Sequence, residues 1–341
     1  MPTLLLASTP SARKNYYGNE ALSGLRLLGE VRLNESEIPL TTGRFAALAD
    51  GCEIVVSDRQ SAAPAELFDA LPQLTAFVRV AVDIRNIDVA AASRNGVLVT
   101  RASPGFMASV AELIIGDMVA LGRHMVDAVI DYRAGRHPEI RMGRQLRGST
   151  VGIIGYGAIG KYLADVASAL GMRVIVSDPY VEQTPRYLTN VDLPSLLRSS
   201  DFVVCLAAAS EKTEKLMNAE AFGQMKPGSY FINASRGDLV DDAALEAALS
   251  DGHIAGAALD VGRAADQMPT AALARHPNVI ATPHIGGLTP PSISHQALET
   301  VSQCASILAG QAPPGSVNPG DATRLKTRLR QHSRQMETKG D

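Results

Sequence analysis

The segment VGIIGYGAIGK places Gly155, Gly157 and Gly160 in G-x-G-x-x-G spacing. An apolar run precedes it, a helical pattern follows, and Asp178 stands 18 residues past Gly160 at the end of the next apolar run, RVIVSD. In that context the motif predicts a dinucleotide site. Gly155 permits a tight turn, Gly157 lets the backbone approach a pyrophosphate, and Gly160 allows the helix to pack on the strand. Tyr156 lies inside the turn, and the amides of Ala158 and Ile159 open the helix, where unpaired N–H groups and the helix dipole favour phosphate charge. Asp178 would accept hydrogen bonds from ribose hydroxyls and repel a 2′-phosphate. No arginine stands in the following PYVEQT to neutralise one, so NAD is expected over NADP.

A bound nicotinamide implies hydride transfer. Transfer to a carbonyl needs a proton donor and a positive group that orients the substrate. Two later segments supply them. NASRGDLVDDAAL puts Arg236 just after the apolar run SYFINAS, and ATPHIGG puts His284 just after NVIATP. In a doubly wound sheet ligands bind at the carboxyl ends of strands, so both side chains are expected at one crevice.

The elements that must position these residues follow from periodicity. From Thr150 onward, strands are expected at TVGIIG, RVIVSD, DFVVCLA, SYFINAS, IAGAALDV and NVIATP, and helices at AIGKYLADVASALG, LPSLLRSS, AEAFGQM and DDAALEAALSDG. The first hundred residues form a smaller α/β unit, with strands at TLLLAS, CEIVVS, LTAFVRV and GVLVT and helices at TTGRFAALAD and APAELFDALPQ. Between the two, SVAELIIGDMVALGRHMVDAVIDYRAG reads as one long helix ending near Gly135, followed by a polar surface arm, RHPEIRMGRQLRG. After His284, SISHQALETVSQCASILAG reads as a helix that returns to the first unit, and residues 321–341 read as a solvated polar tail.

Composition narrows the function. The 341 residues suit two domains, and 32 basic against 35 acidic side chains leave no cationic field for nucleic acid or anionic lipid. No apolar run approaches the roughly 18 residues of a membrane span. The opening MPTLLLASTP lacks the basic stretch of a signal peptide, so a cytoplasmic protein is expected. Cys52, Cys205 and Cys304 have neither disulfide-framework nor zinc-ligand spacing and are expected as buried thiols; no metal is expected.

VGIIGYGAIGK, NASRGDLVDDAAL, GHIAGAALDV and NVIATPHIGG stand in an order and spacing that resembles the D-isomer-specific 2-hydroxyacid dehydrogenases, which include phosphoglycerate and glycerate dehydrogenases. The resemblance covers nearly the whole chain. It implies a Rossmann NAD-binding domain, residues 104–286, inserted in a flavodoxin-like substrate domain made of 1–103 and 287–320. Both would be doubly wound parallel-sheet α/β domains, with the cleft between them. It implies a homodimer joined through 105–147 and a small 2-hydroxy or 2-oxo acid as substrate. By resemblance Arg236 binds the substrate carboxylate and carbonyl, and His284 is the acid/base. Asp260 and the Ala234 carbonyl orient the nicotinamide amide, and the loop at Ala207 passes the adenosine. Thr213, Gly286 and Gly287 complete the cofactor-facing set.

The pattern breaks in two places. Relatives carry a glutamate after the LDV strand that pairs with the histidine. Here the segment is LDVGRAADQMPTAAL, the ungapped position is Ala265, and Asp266 is the nearest carboxylate, with Gln267 the other polar candidate. Asp266 is taken as the partner, because a carboxylate beside His284 favours the imidazolium. In the substrate loop, RVAVDIRNID, Ala81 and Val82 fall on the positions whose amides hold the carboxylate, while Asp83 replaces a glycine and Arg85 an aspartate. Arg79 and Arg59 align with arginines that hold the phosphate of phosphoglycerate, which suggests a second anionic group on the substrate. The competing class is an NAD-sensing scaffold similar to the C-terminal-binding-protein co-repressors. A formate or phosphite dehydrogenase is the other enzymatic alternative.

Overall fold

Short apolar runs sealed on both faces become the central strands of two all-parallel sheets. The computed structural model describes residues 1–181, 183–186 and 188–327, with Asp266 described by its backbone alone. The chain divides into one unit of Met1–Gly105 plus the chain from Pro290 onward, and a second of Phe106–Thr289.

The first unit runs β1 (Thr3–Leu6), α1 (Pro10–Tyr16), α2 (Gly18–Leu28), β2 (Glu30–Leu33), α3 (Thr42–Ala49), β3 (Ile54–Ser57), α4 (Ala65–Asp69), β4 (Ala76–Arg79), α5 (Val89–Arg94) and β5 (Leu98–Arg101). Its five strands lie in the order β2-β1-β3-β4-β5. Alternate residues of each strand point to opposite faces. Leu5, Val55, Phe77 and Val99 therefore meet Phe45, Leu67, Phe68 and Ala91 of α3 to α5. Leu4, Val56, Val78 and Leu98 meet Tyr17, Ala21 and Leu25 on the other side. Each such apolar side chain contributes about 1.5–3 kcal/mol on burial.

The second unit runs α6 (Met107–Gly122), α7 (Met125–Arg133), β6 (Thr150–Ile154), α8 (Ala158–Ala169), β7 (Arg173–Ser177), β8 (Thr189–Asn190), α9 (Leu193–Ser199), β9 (Phe202–Cys205), α10 (Ala219–Gln224), β10 (Tyr230–Asn233), α11 (Asp242–Ser250), β11 (Gly256–Leu259), α12 (Ala271–Ala274) and β12 (Val279–Ala281). The strand order is β12-β11-β10-β9-β6-β7-β8. One face packs under α6 and α8, the other under α9 to α12. The chain then returns to the first unit with α13 (Pro290–Leu308), which packs on α2 and β4.

Several expectations are corrected. The long helix is two: the amide of Arg144 donates to the Gly122 carbonyl (2.7 Å), and His124 takes a left-handed φ of 51° between α6 and α7. Helices α1, α2 and α5 and the edge strands β2 and β8 were not anticipated. The start of the tail is packed: Ala322 and Leu325 are buried with the α13 face, and Arg324 Nη1 donates to the carbonyls of Leu71 (2.7 Å) and Leu74 (2.8 Å). The rest of the tail, from 328, lies outside the described residues. All three cysteines are buried thiols. Among the described residues no helix is long and apolar enough to cross a membrane, and no His, Cys, Asp and Glu group could hold a metal.

Candidate active site

Every residue singled out in the second unit lies at the carboxyl edge of its sheet. The strand order reverses between β6 and β9, and there the glycine turn sits. Gly155 has φ 95°, and a Cβ on it would lie 2.7 Å from the Ala207 amide nitrogen, so the turn after β6 is pressed against the loop after β9. A Cβ on Gly160 would strike the Gly155 carbonyl oxygen. Gly157, by contrast, faces open space, and as N-cap of α8 it makes no side-chain capping bond. The first amides of α8, at Ala158 and Ile159, thus open onto room for an anion.

Asp178 follows β7 and is oriented by backbone. The Tyr156 amide donates to its Oδ2 (2.8 Å) and the Tyr180 amide to its Oδ1 (2.9 Å). Each carboxylate oxygen has a second lone pair for a ribose hydroxyl. In the loop after β9, the Ala207 carbonyl accepts from Ser235 Oγ (2.6 Å), which follows β10, and the Ala208 carbonyl accepts from Thr213 Oγ1 (2.8 Å). A pyrophosphate-linked dinucleotide fits this edge: an open glycine cradle, an uncapped helix start and a fixed carboxylate one strand away.

The chemical residues occupy the three strands on the other side of the switch. Arg236 follows β10, half-buried in a turn that Asn233 staples: Asn233 Nδ2 donates to the Arg236 carbonyl (3.0 Å), and the Ser235 amide donates to Asn233 Oδ1 (3.1 Å). Arg236 Nη1 donates to the Ser235 carbonyl (2.7 Å). Ala234 packs beside the α6 and α8 core.

His284 follows β12 in a half-buried loop and has φ 57°. A non-glycine residue there carries strain of order 1–3 kcal/mol that its surroundings must hold. Asp260, after β11 and 4 % exposed, supplies the hold. Its Oδ1 accepts from Thr282 Oγ1 (2.6 Å) and the Ile285 amide (2.8 Å), and its Oδ2 accepts from the Gly286 amide (2.8 Å). Donors before and after His284 therefore converge on one carboxylate. A Cβ on Gly286 would lie 2.8 Å from Asp260 Oδ2 and 3.4 Å from Val110 Cγ2 of α6, so glycine admits this clamp. Gly287 lies against Phe106. The clamp was missed in the sequence, where Thr282 carried no signal.

Also missed was Asp117, buried on the inward face of α6. Burial first, and the Asp260 charge second, push its carboxyl up to about 7. After β11 the loop closes on itself through Gly262 N–H to the Gln267 carbonyl (2.7 Å). Gln267 takes φ 60°, and its buried Oε1 accepts no hydrogen bond among the described residues. The Asp266 side chain lies outside the described residues.

In the first unit, Ala81 and Val82 follow β4, and the Ala81 carbonyl accepts from the Ala102 amide (3.1 Å). Arg79 is fully buried at the end of β4, with Nη2 donating to Asn86 Oδ1 (2.7 Å). Arg85 is largely exposed and paired with Asp83 (2.7 Å), and Arg59 is exposed with its carbonyl accepting from Asn86 Nδ2 (2.9 Å).

A family model described as the NAD binding domain of D-isomer specific 2-hydroxyacid dehydrogenases matches residues 115–286. D-3-phosphoglycerate dehydrogenase of Synechocystis sp. is 30% identical over 93% of this chain, which spans 58% of that relative's length. Hydroxypyruvate reductase of Thermotoga maritima is 30% identical over 80% of this chain and 92% of its own. The crystal structure of a Thermus thermophilus protein superposes with a TM-score of 0.82 at 29% identity, covering 93% of this chain and all of that one. Since the model match spans every strand end from Gly155 to His284 and the relatives extend it into the first unit, the chain belongs to the D-isomer specific 2-hydroxyacid dehydrogenase family and carries a nicotinamide-dinucleotide domain.

Proposed function

We propose that the protein is an NAD-dependent oxidoreductase that interconverts a D-2-hydroxy acid and its 2-oxo acid. The Asp260 clamp carries this reading. A loop whose only ionisable side chain is a histidine in a left-handed conformation is held on both flanks by one buried carboxylate, one strand away from Arg236. Such fixing is what a proton carrier needs, because general acid–base catalysis depends first on placement.

The cofactor supplies or accepts the hydride. The Gly155–Gly160 turn and the Ala158 and Ile159 amides would hold its pyrophosphate, and Asp178 its adenosine ribose, which favours NAD over NADP because a 2′-phosphate would meet a carboxylate. Arg236 binds the substrate carboxylate and polarises the carbonyl; a planar guanidinium suits a carboxylate through paired N–H groups. His284 gives a proton to the 2-oxygen in reduction and takes it in oxidation. Asp266 favours the charged imidazole.

The assembly proposed is a homodimer through the 105–147 region. α7 buries none of its own residues and exposes Val129, Ile130 and Tyr132, and the following arm exposes Ile140 and Met142 almost fully. Exposed apolar side chains concentrated in one stretch of chain support an interaction face there.

The test is NADH oxidation with a panel of 2-oxo acids: glyoxylate, hydroxypyruvate, 3-phosphohydroxypyruvate, and branched and dicarboxylic members. Turnover with at least one acid, lost at least a thousandfold in Arg236→Ala and His284→Ala, is expected. NADH binding without reduction of any acid in the panel would overturn the reading.

A further inference from the structure

Strands β10, β11 and β12 begin at the amino edge of the second unit's sheet, opposite the carboxyl edge that carries Arg236 and His284. A cavity of about 130 Å³ lies there, between these strand starts and the junction of α6 with α7. Gly256 keeps its floor open: a Cβ there would lie 3.0 Å from the Asn278 carbonyl oxygen and 3.3 Å from Leu121 Cδ2. Tyr230, the first residue of β10, lines the cavity and is 6 % exposed, its ring stacked on Phe202 with centroids 5.2 Å apart. The Tyr230 hydroxyl makes no hydrogen bond among the described residues. A buried tyrosine hydroxyl normally has a partner, and a ligand in the cavity supplies one. At the same place α7 begins uncapped. His124, its N-cap, makes no side-chain capping bond, and the first three amides of the helix find no backbone acceptor. Arg141 lines the cavity as well and pairs with Asp127 of the first turn (3.1 Å). Its other partner, Glu139 (2.9 Å), is largely exposed and lies outside the lining.

We propose that this cavity is a second binding site, for a small monocarboxylate with a short apolar body. The carboxylate is placed at the start of α7, where unpaired N–H groups and the helix dipole favour an anion. The Tyr230 hydroxyl and the Arg141 guanidinium are further donors toward it. Asp127 does not meet the anion as a lone charge, because Arg141 pairs with it. Leu121, Val126, Val279 and Ile280 give the carbon skeleton an apolar wall. An engineered cavity of about 150 Å³ holds one benzene molecule, so this one takes an acid of about three to five carbons. The proposal goes beyond the dehydrogenase reading and does not rest on it. One strand separates the two places: Tyr230 opens β10, and Asn233, which staples the Arg236 turn, closes it. At a rise of about 3.3 Å per residue those ends are about 10 Å apart, so a ligand at the amino edge leaves the cofactor crevice free.

The experiment is a ligand-observed NMR titration with isovalerate and with isoamylamine, a cation on the same branched skeleton. Arg236→Ala protein is used, so that the arginine proposed to hold the substrate carboxylate is absent. Isovalerate should bind saturably in the millimolar range whether or not NADH is present, and isoamylamine at least tenfold more weakly. Arg141→Ala should weaken isovalerate about tenfold, and Tyr230→Phe, which removes one oxygen, about three- to tenfold. Arg141 is exposed, so its replacement keeps the test decisive should Tyr230→Phe fail to fold. No saturable binding, equal binding of the amine, displacement by NADH, or an affinity unchanged in both variants would overturn the site. A second copy of the chain is the other possible occupant, because Val129 and Ile130 stand one turn along α7 from Val126. The titration is therefore repeated with Ile130→Asp added. Equal binding with and without that change supports the ligand site, whereas binding only when Ile130 is replaced would assign the cavity to the second copy and overturn it. Failure of every acid in the NADH assay would sink the dehydrogenase reading and leave these outcomes as they are.

Discussion

Replacing Asp117 with Asn should stabilise the protein, and only above acid pH. The carboxyl sits 8 % exposed on the inward face of α6, which packs on β10 and β11, and Asp260 stands at the end of β11. Desolvation first and the Asp260 charge second raise it from 3.8 to about 7. A carboxyl whose folded value lies above its unfolded one keeps its proton in the native state while the unfolded chain has lost it. Stability therefore falls as pH climbs from about 4 to about 7 and is level above that. A rise of about three units at about 1.4 kcal/mol each sets a ceiling of about 4 kcal/mol. Asparagine has the shape of the protonated acid, a similar helix propensity and no charge, so about 2–4 kcal/mol should be recovered at pH 8 and almost none at pH 4. The chain has no tryptophan, so urea unfolding is followed by far-UV circular dichroism at both pH values. At about 2 kcal/mol per molar urea, the midpoint should rise by about 1–2 M at pH 8 with the slope unchanged. An equal gain at pH 4, or a loss at pH 8, would refute the argument, because either result would mean that Asp117 is not a buried carboxylate opposed by Asp260.

Asp260→Asn keeps one acceptor oxygen and turns an amide group toward a backbone N–H, so the His284 loop should loosen; kcat should fall at least a hundredfold with NADH affinity changed far less, as stopped-flow and equilibrium titration would show. Asp178→Ser removes the carboxylate that a 2′-phosphate would meet, and the NAD-to-NADP preference in kcat/KM should fall at least tenfold. Asp266→Asn should move the alkaline limb of the reduction profile to lower pH if Asp266 is the partner proposed for His284, because a carboxylate partner favours the imidazolium that reduction consumes; an unmoved limb removes Asp266 from the mechanism. Ile130→Asp, on exposed α7, should convert a dimer to a monomer by light scattering at micromolar concentration, and a wild-type monomer would sink the dimer outright.

What could be read from the sequence was what burial writes as a pattern. The central strands were legible because both of their faces are covered: β3, β4, β9, β10 and β11 are buried at every residue, so continuous apolar runs mark them. Edge strand β2 is EVRL and half-exposed, and β8 is two exposed residues, so neither carries that mark. The break at His124 follows a single glycine, Gly122, whose carbonyl takes a backbone bond from Arg144, distant in the chain, where α6 ends. The same limit governs the site. Gly155, Arg236 and His284 are tied to strand ends and could be placed by counting, whereas what holds or opposes them comes from neighbours that only the fold supplies. Asp260 was singled out for the cofactor, and only the fold shows that its carboxylate also accepts from Thr282, Ile285 and Gly286. Arg79 was read as an anion holder because it aligns with the arginines that hold the phosphate in the phosphoglycerate dehydrogenases the sequence resembles. Asp58, 21 residues earlier, lies at the end of the adjacent strand and opposes the guanidinium charge. Electrostatics at such a point are a property of a pair of strands, whereas a linear reading assigns each residue its own charge.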